Sequence, residues 1–180
     1  MANNRDEIIS EIKKLSDEKY RNFQMKLCPN INGILGVRVP KLREYAKILS
    51  NENWEQNYNY LRDEYYEELM IRGMMLGLGK ISIEKRLEYL KIFIPKINNW
   101  AVCDTTCAGL KFTKKNQKII WDFLQPYLKS KKEFENRFAI VMLLDFFIND
   151  EYVDKVIKTI DSIKAKEYYV SMAVAWVVSE

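Results

Sequence analysis

Histidine is missing from the whole 180-residue chain. That excludes Ser-His-Asp and Cys-His nucleophile pairs, imidazole metal ligands and imidazole acid–base work. Any catalysis must run on carboxylates, cationic side chains, tyrosines or a thiol. Cysteine is scarce. Cys28, Cys103 and Cys107 are an odd, sparse set, which implies no disulfide framework and suits a reducing cytoplasm. Cys103 and Cys107 are four residues apart, on one face of a helix, but two thiols without a histidine are poor zinc ligands. No metal site and no cofactor are expected. Six glycines and four prolines are too few for the many tight turns of a sheet protein of this length, so the shortage points to long helices. Long apolar runs are also absent. No stretch reaches the 18 residues of a membrane span, and the N-terminal MANNRDEIISEIKKL is charged throughout, without an apolar signal core. A cytoplasmic chain of one domain, residues 1–180, is the expectation.

What is present is ordinary globular material, 48% hydrophobic and 30% charged, enough to build a real core. The net charge is only +4, but it is unevenly spread. Between Lys111 and Lys132 stand seven lysines (Lys111, Lys114, Lys115, Lys118, Lys129, Lys131 and Lys132) and one acid, Asp122. That segment carries +6, leaving −2 for the rest of the chain. Concentrated basic charge suits a polyanion partner; a solvated helix face is the plainer alternative.

The periodicity is helical almost throughout. Ile8, Ile9, Ile12 and Leu15 form one stripe, and a short helix is expected over Lys19–Leu27. The segment Cys28-Pro29-Asn30-Ile31-Asn32-Gly33 is turn chemistry. An extended stretch follows, then a helix with Pro40 in its first turn. Asn53, Asp63, Ser82, Asn99, Thr113, Ser130 and Asp150 each precede an apolar run and are read as N-caps, and Lys164-Ala165 opens the last helix. The pairs opening at Asn53, Ser82, Thr113 and Asp150 are spaced 29, 31 and 37 residues apart. Such spacing suits an all-α fold, an α-solenoid of antiparallel helix pairs of the HEAT type, with an irregular bundle as the alternative. The terminal YYVSMAVAWVVSE is strongly apolar. It is either a buried last helix or the inner half of a stack that lacks a final pair.

Polar residues inside apolar helices need a reason to be there. Asp104 lies one turn after Trp100, Arg137 opens RFAIVMLLDFF, Asp145 is enclosed in that run, and Trp176 sits in AVAWVV. Asp104 and Arg137 could be an ion pair tying two repeats together. Glu68 and Arg72 are expected to form a structural i,i+4 pair.

The ordered set resembles the DNA alkylation repair family of AlkD-like glycosylases. GVRVPKLREYAK, Gly36 to Lys47, is similar to the opening of that family's first repeats. Trp100-Ala101-Val102-Cys103-Asp104 resembles its Trp-x-x-x-Asp, and Asn136-Arg137-Phe138-Ala139 its arginine in an apolar helix, with Trp176 39 residues later. The resemblance runs over essentially the whole chain. It implies HEAT-like repeats with a concave basic surface, duplex DNA containing alkylated bases as partner, and hydrolysis of the N-glycosidic bond of cationic N3- and N7-alkylated purines by a monofunctional monomer without metal. It makes Asp104 the catalytic carboxylate, Trp100 and Trp176 the aromatic walls of the cleft, and Arg137 a phosphate-binding cation. Tyr20 or Phe23 would be an N-terminal aromatic near the lesion. The seven lysines become DNA-backbone contacts. Two departures stand out: Ala-Val follows Trp100 where some relatives carry a second aromatic and a threonine, and family members often continue beyond residue 180. A non-catalytic nucleic-acid-binding repeat protein and a protein-interaction scaffold are the competing readings, because a fold alone assigns no chemistry.

Overall fold

A computed structural model describes residues 4–164 and 166–180. Among them all regular structure is helical: eleven α-helices and two 3-10 turns, without a strand. No helix among the described residues is long and apolar enough to cross a membrane. The chain divides into two compact units, one ending at Tyr89 and one beginning at Leu90.

The first unit holds α1 (Arg5–Lys14), α2 (Glu18–Leu27), α3 (Val39–Asn51), α4 (Trp54–Tyr60) and α5 (Tyr66–Leu78), and most of α6 (Ile83–Phe93). Ile8, Ile9 and Ile12 of α1 are buried, as their spacing predicts. Asn4, Asp17 and Asn53 each cap a helix by accepting a backbone N–H with a side-chain oxygen, worth about 1 kcal/mol apiece. Pro40 lies in the first turn of α3, and α3 packs against α5.

The chain between α2 and α3 is pinned by one buried acid. Glu67 accepts N–H bonds from Leu35 at 2.9 Å, Gly36 at 2.8 Å and Val37 at 3.2 Å. Burial pushes its carboxyl above the ordinary value, and these three bonds act against that. Gly36 has φ +88°, and a Cβ there would lie 2.5 Å from Arg21 Cβ; no other residue type fits that conformation and space.

Two sequence expectations fail in this unit. Glu68 does not pair with Arg72. It is held by Arg5, through Nε at 2.9 Å and Nη2 at 3.0 Å. Arg72 instead reaches Asp63 at 2.6 Å and lies 4.7 Å over the Tyr58 ring. That contact takes Asp63 away from the expected capping role, and α5 begins after Tyr65, with Glu68 reaching back to the Tyr65 N–H.

The second unit starts with the end of α6 and a 3-10 turn, Ile94–Lys96, where Pro95 interrupts the helix. It continues through α7 (Trp100–Gly109), a second 3-10 turn (Lys111–Lys115), α8 (Gln117–Leu128), α9 (Glu133–Phe146), α10 (Val153–Ser162) and α11 (Tyr168–Ser179). Helix α9 is central, packing on α7, α8 and α11. This contact between next-but-one helices, α7 on α9 and α9 on α11, is how successive pairs stack in a helical-repeat solenoid. Phe138, Ala139, Ile140 and Leu143 of α9 are fully buried, each apolar side chain of that size contributing about 1.5–3 kcal/mol apart from the alanine.

Asn99 caps α7, its Oδ1 accepting the Val102 N–H at 2.9 Å. Thr113 caps nothing: it is buried within the second 3-10 turn, and α8 begins after Asn116. Asn149, rather than Asp150, accepts the N–H groups of Glu151 and Tyr152 before α10. Of the expected Lys164-Ala165 opening, residue 165 lies outside the described residues, and α11 begins at Tyr168.

Candidate functional site

Three parallel choices of sequence bring the site together in the second unit. Asn99 fixes where α7 starts, which puts Trp100 in its first turn and Asp104 one turn later. Glu133 starts α9 and, through Oε1, accepts the Tyr169 N–H at 2.9 Å, tying the first turn of α11 to that of α9. Arg137, one turn into α9, then lies between α7 and α11.

Its guanidinium meets Asp104 as a two-pronged fork. Nε donates to Oδ1 at 3.0 Å and Nη2 donates to Oδ2 at 2.8 Å. A third bond runs from Nη1 to the Tyr169 carbonyl at 2.6 Å. The Trp176 ring, 4.8 Å from the guanidinium carbon, lies against the fork, and the Tyr169 ring is 5.8 Å away. Planar cations gain from both contacts, and lysine could not reproduce the fork. Burial alone would lower the Arg137 pKa, but the bonds to Asp104 outweigh it and the value is raised.

The two partners differ in exposure. The Arg137 side chain is 1% exposed and that of Asp104 is 25% exposed. Each Asp104 oxygen takes one bond from the fork, and a carboxylate oxygen can accept two. The carboxylate is therefore fixed in place yet open to an incoming group. Arg137 has spent three of its five N–H bonds and shows almost no surface, so the phosphate contact expected of it would require neighbouring side chains to move.

The structure places the remaining expected residues as follows. Trp176 is half-exposed beside the fork, and Trp100 is half-buried at the start of α7. All seven lysines, Lys111, Lys114, Lys115, Lys118, Lys129, Lys131 and Lys132, are exposed; Lys132 pairs with Glu135 at 2.9 Å. In the other unit Tyr20 is half-buried under Arg38, with 4.9 Å from the guanidinium carbon to the ring, and Phe23 is exposed. Asp145, read as enclosed, is exposed. Partial desolvation, and after it the charge of Asp104, pushes its carboxyl up to about 6. Cys103 and Cys107 flank Asp104 on the inner side of α7 and are fully buried.

Sequence reasoning missed Tyr169 and Glu133. Tyr169 acts through its backbone carbonyl, which carries no residue-type signal. Glu133 is one of two acids opening α9, with Glu135, which looks like ordinary helix-dipole chemistry.

A family model described as DNA alkylation repair enzyme matches residues 8–180. No curated protein and no solved structure matches the chain.

Proposed function

The chain belongs to the DNA alkylation repair enzyme family, and from that premise we propose that it is a monofunctional DNA glycosylase acting on cationic N3- and N7-alkylated purines in duplex DNA. The observation that carries this reading is the Asp104 carboxylate, held on both oxygens by a buried guanidinium and still reaching solvent.

The chemistry asks for little more. An N3- or N7-alkylated purine already carries positive charge. When its bond to C1′ breaks, the electron pair goes to the base, which leaves neutral and needs no proton. The general acid of ordinary glycoside hydrolysis is then unnecessary, in keeping with a chain that has no histidine. The deoxyribose left behind is oxocarbenium-like. A fixed negative charge beside it stabilises that cation without reorganising during the reaction. Water then bonds to C1′ and gives up its proton to Asp104 or to solvent. Trp176 and Trp100 would wall the cleft and offer electron-rich faces to the cationic sugar. Arg137 acts mainly by holding Asp104. The helix pairs serve as HEAT-like repeats, and the exposed lysines between Lys111 and Lys132 meet the phosphate backbone.

The test is base release. Methylated duplex DNA is incubated with the protein, and free 3-methyladenine and 7-methylguanine are assayed beside Asp104→Asn. The variant should lose about 100-fold or more in rate while still binding DNA. Full activity in Asp104→Asn would sink the assignment. Salt-sensitive DNA binding with no release from the unaltered chain would favour a second reading, a non-catalytic nucleic-acid-binding repeat protein, which the exposed lysines support.

A further inference from the structure

Beside the Asp104–Arg137 fork, the second unit has a cavity of about 460 Å³ between the loop joining α8 to α9 and the loop joining α10 to α11. Lys129 and Lys131 line it from the first loop, and Lys164 and Lys166 from the second. Glu167 is the one acid in the lining, so the wall carries a net +3. All four lysines are exposed, and none is in an ion pair among the described residues.

The nearby acids are occupied elsewhere. Glu135 accepts from Ser130 Oγ at 2.7 Å and from Lys132 Nζ at 2.9 Å. Glu133 is taken by the Tyr169 N–H. Asn136, also in the lining, donates to the Tyr127 and Leu128 carbonyls at 3.1 and 2.8 Å. That bond pair fixes the first loop against α9 and satisfies the last carbonyls of α8. Apart from Glu167, the positive charge of the cavity is thus left without a protein counter-charge.

Its position matters as much as its charge. Asn136 precedes Arg137 in the chain, and Val170, another lining residue, follows Tyr169. The first turns of α9 and α11 form the cavity wall on one side and hold the fork on the other. We propose that this cavity seats a backbone phosphate of duplex DNA next to the sugar presented to Asp104, with Lys164 and Lys166 as phosphate contacts equal in rank to Lys129 and Lys131. The proposal rests on the DNA-repair reading for its partner. It does not depend on catalysis.

Lysine–phosphate contacts release counterions, and each phosphate neutralised adds about 0.9 to the slope of log K against log salt. The experiment is a salt titration of binding to an undamaged fluorescent duplex, which needs no base release. Lys164→Gln/Lys166→Gln and Lys129→Gln/Lys131→Gln should each lower the slope, by up to about 0.9, the share of the one phosphate they hold together. The corresponding arginine pairs should restore it, since charge rather than shape is at stake. Lys158→Gln, on the exposed face of α10 and outside the cavity, should leave it unchanged. An unaltered slope in the Lys164/Lys166 pair, with melting temperature preserved, would overturn the proposal. Inorganic phosphate, added at matched ionic strength, should compete for the seat and shrink the difference between the unaltered chain and this pair. A lowered slope in a protein that releases no base would leave the phosphate seat standing and remove only the glycosylase.

Discussion

Each unit contains an arginine forked onto a carboxylate, and the two forks are built the opposite way round. In the first unit the acid is inside: Glu68 is 0% exposed and Arg5 is 19% exposed. In the second the cation is inside, with Arg137 at 1% and Asp104 at 25%. Glu68 accepts four bonds, from Arg5 twice, from the Arg62 N–H at 2.9 Å and from the Tyr65 N–H at 3.1 Å. Its acceptor capacity is full. Asp104 accepts two and keeps half of its capacity for something that arrives from outside. The same pair of functional groups is a brace in one place and a candidate reaction centre in the other. What separates them is which partner meets solvent.

The largest effect should come from removing the enclosed acid. Glu68→Ala strands the Arg5 fork and two backbone N–H groups, and should cost about 3 kcal/mol in a denaturant melt. Base release per folded molecule should stay at the unaltered rate. A loss of turnover in that variant would break the contrast between the forks. Arg137→Lys comes next. One ammonium cannot hold both Asp104 oxygens, so base release should fall about 10-fold, with a smaller loss of stability than Glu68→Ala. Trp176→Leu should have a milder result, roughly 3-fold on release, because a partly exposed cation–π contact is worth about 0.5–1 kcal/mol.

The smallest effect is one of pH. Burial opposes ionisation of Glu68, but its bonds to Arg5 prevail, and its pKa is lowered. A lowered carboxylate stabilises the fold fully above its unfolded pKa, about 4.3, and that stability drains away as pH falls through the lower folded value. The gap in melting temperature between the unaltered chain and Glu68→Gln should therefore hold at neutral pH and narrow below about pH 4. A gap that widened on acidification would contradict the assigned sign.

Much of the helical fold was legible because capping is local chemistry. Asn53 and Asn99 identify their helices within a few residues. Thr113 and Asp63 mislead for the same reason: a cap-type residue can be claimed by burial or by a distant cation, and no local pattern reveals the claim. The i,i+4 spacing of Glu68 and Arg72 was likewise overruled by Arg5, 63 residues away from Glu68. At the candidate site, the polar residues in apolar helices were visible, and so was the possibility that Asp104 and Arg137 pair. Which of the two faces solvent was not, since that depends on how α11 covers α9. As phosphate contacts Lys164 and Lys166 went unnamed, because they stand far along the chain from the lysine-rich segment whose loop they face.

The burial of the thiols has a bearing on where such a protein must work. Cys28, Cys103 and Cys107 are 3%, 0% and 0% exposed, and burial raises the pKa of Cys28 and Cys107. A thiol reacts with electrophiles as its thiolate and at its surface. The reagents that put alkyl groups on purine nitrogens also attack sulfur, and burial keeps these three thiols from them. A repair protein built like this presents no thiol to the reagents that create its damaged DNA.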